Sequence, residues 1–213
     1  MIRVRKSKEE PANLATKGYG DDEVKKTLLD DQDEKCYLCE RRVGLDYEVE
    51  HLESQKGAED KVDQWDNLFL ACSYCNDRKK NNYDDIPHPN AENWEDIIKM
   101  RVDALEKKVV IETDLEDAGV KHMVKLLDVL HNGKDEKMRN LKESRFWNLL
   151  KDSYSEFIRH IEAYIDNPCE ETKKLVKEDL DIKSEFLAIK YQKILSLPQL
   201  ASVFEEDMKW NRK

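Results

Sequence analysis

Four of the five cysteines fall into two Cys-x-x-Cys pairs, Cys36/Cys39 and Cys72/Cys75, with residues 40 through 71 between them. A pair spaced this way turns on a tight knuckle that points both sulfurs at one ion. Two knuckles complete a closed tetrahedral thiolate shell, the usual structural Zn²⁺ site. In so small a unit, metal binding supplies much of the folding free energy. The competing chemistry, redox or plain buried thiols, is disfavoured by the double spacing. Cys169 follows a proline, has no pair in the sequence and reads as a structural or surface thiol.

The stretch that the knuckles enclose carries the polar chemistry. It runs Tyr47-Glu-Val-Glu-His51-Leu-Glu, then Trp65-Asp-Asn67-Leu-Phe-Leu-Ala-Cys72, then Cys75-Asn76-Asp-Arg-Lys-Lys80. An acid and a histidine adjoin at an expected strand end, an asparagine precedes an apolar run, and another directly follows the last cysteine. Singly, each has a bland reading: Glu50 a surface carboxylate, His51 a satisfied structural histidine, and Arg78, Lys79 and Lys80 a solvated charged face. Their position inside the cysteine frame argues for more. His88, His122, His131 and His160 lack spaced partners, and no role is assigned to them.

In order, spacing and residue type, residues 36–80 resemble the HNH (ββα-metal) endonuclease family of the zinc-stapled kind. There Cys-x-x-Cys is followed by Asp/Glu-His, then Asn-Leu, then Cys-x-x-Cys with His or Asn and a downstream Lys. Two positions depart from the commoner pattern: Glu50 is one methylene longer than Asp, and Asn76 replaces His. The resemblance implies hydrolysis of phosphodiester bonds. His51 would take a proton from the attacking water, as an imidazole near neutral pH can. Glu50 and Asn76 would hold a divalent cation, Mg²⁺ or Mn²⁺ by the hardness of their oxygens. Asn67 would brace the loop that orients His51, and Arg78, Lys79 and Lys80 would meet phosphates.

The whole chain is similar to a narrower group, the PtuB nucleases of Septu-type and retron-associated antiphage systems. The residues that carry this are Met1-Ile-Arg-Val-Arg-Lys, Lys35-Cys-Tyr-Leu-Cys-Glu40, Val49-Glu-His51 and Trp65-Asp-Asn-Leu-Phe-Leu-Ala-Cys72, with a helical C-terminal half. That similarity implies an ABC/SMC-like ATPase (PtuA-like) as partner and, in retron versions, a reverse transcriptase with its RNA–DNA product. The partner is expected on the C-terminal helices, which have a surplus of aromatic and aliphatic positions.

These residues must be positioned by an α+β fold: a zinc-stapled ββα-metal motif in the N-terminal half and a mainly α-helical C-terminal half. The expected domains are 1–90, a nuclease domain with an N-terminal arm, and 91–213, a β-hairpin plus helices. A helix is expected from Asp22 to about Asp30. Ile86-Pro-His-Pro-Asn90 makes a boundary. Ile98, Met100 and Val102 alternate with polar residues and pair naturally with Val109-Val-Ile-Glu-Thr113 as a hairpin, against a competing helix over 94–107. Beyond Asp117 apolar residues recur every three or four, from Phe146 to Ile165. A further helix is expected from Leu175 through Leu195, and a short one after Pro198.

The 213 residues carry a net charge of -10, and 39% of them are charged. Residues 1–90 hold 15 Lys and Arg against 21 Asp and Glu, so neither half is basic. A stand-alone nucleic-acid binder needs a basic footprint, which argues against a self-sufficient restriction or homing-type nuclease and for a partner that supplies grip. The first eight residues are charged and are no signal peptide, and no run spans a bilayer, so a cytoplasmic protein is expected. The runner-up function is a zinc-binding adaptor that recognises nucleic acid or protein without cleaving; it has no need of Glu50, His51 and Asn76 together. DNA and RNA are both open as substrate.

Overall fold

A computed structural model describes residues 1–134 and 138–210. In chain order the elements are α1 (Leu14–Lys17), α2 (Asp22–Asp31), β1 (Glu48–His51), β2 (Leu68–Ala71), α3 (Ser73–Lys79), α4 (Trp94–Ile97), β3 (Ile98–Asp103), β4 (Lys108–Thr113), α5 (Ala118–Asn132), α6 (Leu141–Asp166), α7 (Glu170–Asp179), α8 (Leu187–Leu195) and α9 (Pro198–Ala201). The fold is α+β, with two separate two-stranded antiparallel sheets and a helical C-terminal half.

The first sheet pairs β1 with β2 in the register Glu48↔Ala71 to His51↔Leu68. All four β2 residues are buried. Its open edge is satisfied by a side chain: the Gln32 carboxamide both donates to the Leu70 carbonyl (3.0 Å) and accepts from the Leu70 amide (2.8 Å). A glutamine at the end of α2 thus stands in for a third strand where an unpaired buried backbone would be costly.

The second sheet, β3 with β4, is the expected hairpin, with α4 confined to the four residues before it. Ile98 and Met100 face inward while Lys99 and Arg101 are exposed. Helix α5 packs on β4 and is capped by Asp117, whose carboxylate accepts from the Val120 amide. Helix α6 begins with a capping box between Asn140 and Glu143, which satisfies free amides of its first turn.

The helix expected over 175–195 is two helices instead. α7 ends at Asp179 and α8 starts at Leu187, after Phe186 in the left-handed region (φ 53°). The break is held from outside: the Lys35 ammonium donates to the carbonyls of Ile182 and Ser184. Lys190 binds both Asp179 (3.0 Å) and the Ser184 hydroxyl (2.7 Å). These partners replace the intrahelical bonds that an unbroken helix would supply.

One buried apolar cluster runs from Met1 and Ile2 through β2 and Ile98 to Leu126, Phe157 and Phe204. The N-terminal residues are part of it. The amides of Ile2 and Arg3 donate to Glu40 and Glu95, and that of Val4 to the Pro89 carbonyl. Lys6 is drawn in between the Trp65 and Phe69 rings, 4.3 Å from each centroid, and donates to the carbonyls of Trp65 and Leu68. Burial pushes its ammonium down to about 7. This arm therefore pins the chain where it enters β2. No described helix is long and apolar enough to cross a membrane.

Candidate active site

The sulfurs of Cys36, Cys39, Cys72 and Cys75 lie within 4.8 Å of one another, and all four residues are buried. Cys36 and Cys39 sit on a knuckle closed by the Glu40 amide on the Cys36 carbonyl (2.9 Å), with Glu40 in the left-handed region. Cys72 caps α3 and Cys75 occupies its first turn. A tetrahedral Zn²⁺ with Zn–S bonds of about 2.3 Å separates its sulfurs by about 3.8 Å; Cys39 and Cys72 are 3.9 Å apart. No described cysteine is in a disulfide. The donor set fits a structural zinc ion, and the ion would tie the knuckle before β1 to the helix after β2.

Between the two knuckles, β1 lies against α3. Two contacts mark the seam. Glu48 accepts from the Asn76 carboxamide, and two residues along the strand Glu50 meets the Lys79 ammonium at 2.7 Å, one helical turn further on. Strand alternation puts Glu48 and Glu50 on one face, and an i, i+3 spacing puts Asn76 and Lys79 on one side of the helix. Glu50 and Asn76 thus lie along one seam but bond different residues, Glu50 to Lys79 and Asn76 to Glu48. Glu50 is 4% exposed with both oxygens engaged, the second by the Tyr37 hydroxyl (2.6 Å). Burial raises its pKa from the ordinary carboxylate value, against the opposing pull of Lys79. Mg²⁺ and Mn²⁺ take one or two carboxylates and complete their shell with water and substrate phosphates; Glu50 offers such an ion only the lone pairs that Lys79 and Tyr37 leave, at a position closed to solvent in this arrangement.

His51 makes its contacts elsewhere. Its Nε2 lies 2.9 Å from the Val62 carbonyl. A carbonyl only accepts, so Nε2 carries the proton and Nδ1 keeps a lone pair. Burial lowers the imidazole pKa below its usual value, which leaves the ring neutral at pH 7. The Tyr19 ring packs edge-on at 4.7 Å, and the Gln55 amide stands 3.4 Å from Nδ1 and 3.0 Å from the Tyr19 hydroxyl. In this arrangement the Gln55 amide donates to the Nδ1 lone pair; a neutral imidazole of this tautomer can accept a proton from a water that takes the amide's place.

Asn67 holds the loop over 52–67 that presents Val62. Its carboxamide oxygen accepts from the Glu53 amide (2.8 Å), and its nitrogen donates to the carbonyls of Glu53 (3.0 Å) and Lys61 (3.1 Å). Asp84 does the same at the loop's start, accepting from the amide and hydroxyl of Ser54.

The three basic residues after the second knuckle go three ways. Lys80 is exposed. The Arg78 guanidinium lies 3.6 Å over the Tyr74 ring and pairs with Glu143 at 3.3 Å, which docks α3 on the start of α6. Lys79, expected to meet phosphates, is fully buried; desolvated carboxylate and carbonyl partners on β1 hold its ammonium inside. Tyr37, Val62, Tyr19, Gln55 and Asp84 were missed in the sequence. Tyr37 lies within the first knuckle and could have been found there; nothing local marks the other four.

The HNH endonuclease family model matches residues 36–82. Both knuckles, β1, β2 and α3 fall inside that segment, which is an HNH endonuclease domain. No curated protein matches the chain.

Proposed function

We propose, with the HNH domain as premise, that this protein is a metal-dependent endonuclease whose general base is His51. The observation that carries the reading is the placement of the imidazole, its Nε2 2.9 Å from the Val62 carbonyl, on the strand between two cysteine knuckles; that contact assigns the proton to Nε2. The four cysteines would hold Zn²⁺, which would brace the scaffold. Glu50 and Asn76 would hold Mg²⁺ or Mn²⁺, which when bound neutralises charge developing on the phosphoryl and leaving oxygens. His51 accepts the proton of the attacking water through Nδ1, and Asn67 keeps the Val62 carbonyl in place so that this nitrogen stays unprotonated. Phosphate contacts fall to Lys80 and, if it leaves Glu143, Arg78.

The finer reading is that the enzyme is the nuclease effector of an antiphage defence complex with an ABC/SMC-like ATPase (PtuA-like), joined in retron versions by a reverse transcriptase and its RNA–DNA product. Its supports are the similarity to PtuB and the net charge of -10, which suits a subunit brought to nucleic acid by a partner. The deciding comparison is His51→Ala against wild type on plasmid DNA and on tRNA, with zinc measured in both. Loss of about 10²–10⁴-fold in rate at unchanged zinc is expected. Equal cleavage, or none by either protein, would favour a zinc-binding adaptor. Co-purification of wild type with the neighbouring ATPase, and its loss on deleting residues 114–213, tests the partnership.

A further inference from the structure

We propose that Lys79 is a positioning residue, an internal strut that fixes both the carboxylate of Glu50 and the backbone of His51, rather than a phosphate contact. The inference rests on the nuclease reading of the preceding section and deepens it. Three observations carry it. The Lys79 side chain is 0% exposed, so no substrate reaches its ammonium in this arrangement. That ammonium makes two short contacts, 2.7 Å to Glu50 Oε1 and 3.0 Å to the His51 carbonyl. It also faces Asp84 at 4.0 Å, and Asp84 in turn holds Ser54 on the loop that leaves β1.

One cation therefore ties together the last two residues of β1 and the first turn of the loop beyond them. The side chain reaches them from the last residue of α3, the helix anchored by the second cysteine pair. A buried charge is tolerated only when paired and hydrogen-bonded, and here its pairing partner is the expected metal-holding carboxylate. Removing the ammonium frees Glu50 and loosens the peptide that carries His51. Displacements of about 1 Å in a catalytic group can lower rates about 100-fold.

The experiment uses the full chain with four variants: Lys79→Met, Glu50→Gln, the double Glu50→Gln/Lys79→Met, and Lys80→Met. Zinc content and thermal unfolding are measured for all. Because breaking one side of a buried pair strands the other charge, Lys79→Met alone should be less stable than the double variant. Additive losses would overturn the strut. On plasmid DNA with Mg²⁺ or Mn²⁺, Lys79→Met should lose about 100-fold in kcat at unchanged KM. Binding of a fluorescein-labelled DNA duplex should keep its salt dependence, whereas Lys80→Met should lower the slope by about one. A raised KM with unchanged kcat, or a slope lowered by Lys79→Met, would make Lys79 a phosphate contact after all. If wild type cuts neither plasmid nor tRNA, the nuclease reading fails, and the stability comparison still decides the strut.

Discussion

The two β-hairpins of this chain are built on opposite plans. β1 and β2 are four residues each, β2 is buried throughout, and a 16-residue connection over 52–67 joins them. That connection is held by side chains from outside itself or at its far end: Asn67, Asp84 and the Val62–His51 bond. β3 and β4 are six residues each, joined by a short turn over 104–107 in which Asp103 accepts from the amides of Leu105 and Glu106, while Arg139 donates from outside to the Lys107 carbonyl (2.6 Å). The first hairpin has a long loop, external bracing and all the candidate chemistry. The second has local turn chemistry and no candidate catalytic group. A loop must be held by distant groups before it can aim an imidazole, and that bracing makes the first hairpin fragile where the second is tolerant.

The largest expected effect tests the outermost brace. Cys36→Ser should lose zinc, cleavage and the folded β1–β2 module together, because structural zinc in small modules contributes about 10–16 kcal/mol. Metal analysis and urea unfolding read the result. A folded, zinc-free and active variant would break the comparison at its root. Next comes Asn67→Ala, which deletes three hydrogen bonds at a buried position and strands the Glu53 amide and two carbonyls. A loss of about 3 kcal/mol is expected in urea unfolding, with kcat falling more than KM. Unchanged kcat in a folded variant would mean that the loop does not orient His51.

How much of this was readable beforehand differs between the hairpins for the same reason. β3 announces itself because one face is solvated, so Ile98 and Met100 alternate with Lys99 and Arg101. β2 is buried throughout, Leu-Phe-Leu-Ala, and carries no period; only its place between Asn67 and Cys72 identifies it. The candidate site was legible as residue types at fixed spacing, and so the cysteines and the Glu50-His51 pair could be singled out. What could not be read is which partner each side chain takes. Lys79 looks like its neighbours Arg78 and Lys80, and only the angle at which α3 meets β1 turns it inward. The α7–α8 break was hidden likewise, since Lys35, which stabilises it, is about 147 positions away in the chain.

An effect confined to acid probes whether the helical half responds to pH on its own. His131, buried in α5 against the Phe146 ring, donates from Nδ1 to the Leu127 carbonyl (2.8 Å), and burial pushes its pKa down to about 4. The unfolded chain takes up this proton near pH 6.5 while the native protein resists it until about pH 4. Stability from this group is therefore full above pH 6.5 and declines as pH falls from 6.5 to 4, by about 3 kcal/mol in all. His131→Met should flatten that part of the stability–pH curve measured by urea unfolding. A slope unchanged by the substitution would assign the acid sensitivity to other groups, such as the lowered His51 of the first hairpin; the raised Glu50 has the opposite sign and loses stability as pH rises.

The smallest effect belongs to the tip of the second hairpin's turn. Leu105 is 93% exposed at the tip of β3–β4, and its amide bonds Asp103 whatever its side chain is. Leu105→Ser should change stability by no more than about 0.5 kcal/mol and leave cleavage untouched. The same change made in the 52–67 connection, Leu52→Ser, meets a buried position next to His51 and should cost about 2–4 kcal/mol. If the tip substitution instead abolished activity in a complex while leaving the isolated protein intact, the second hairpin would be a contact for the partner. Its exposed leucine would then have a use that the isolated fold does not require.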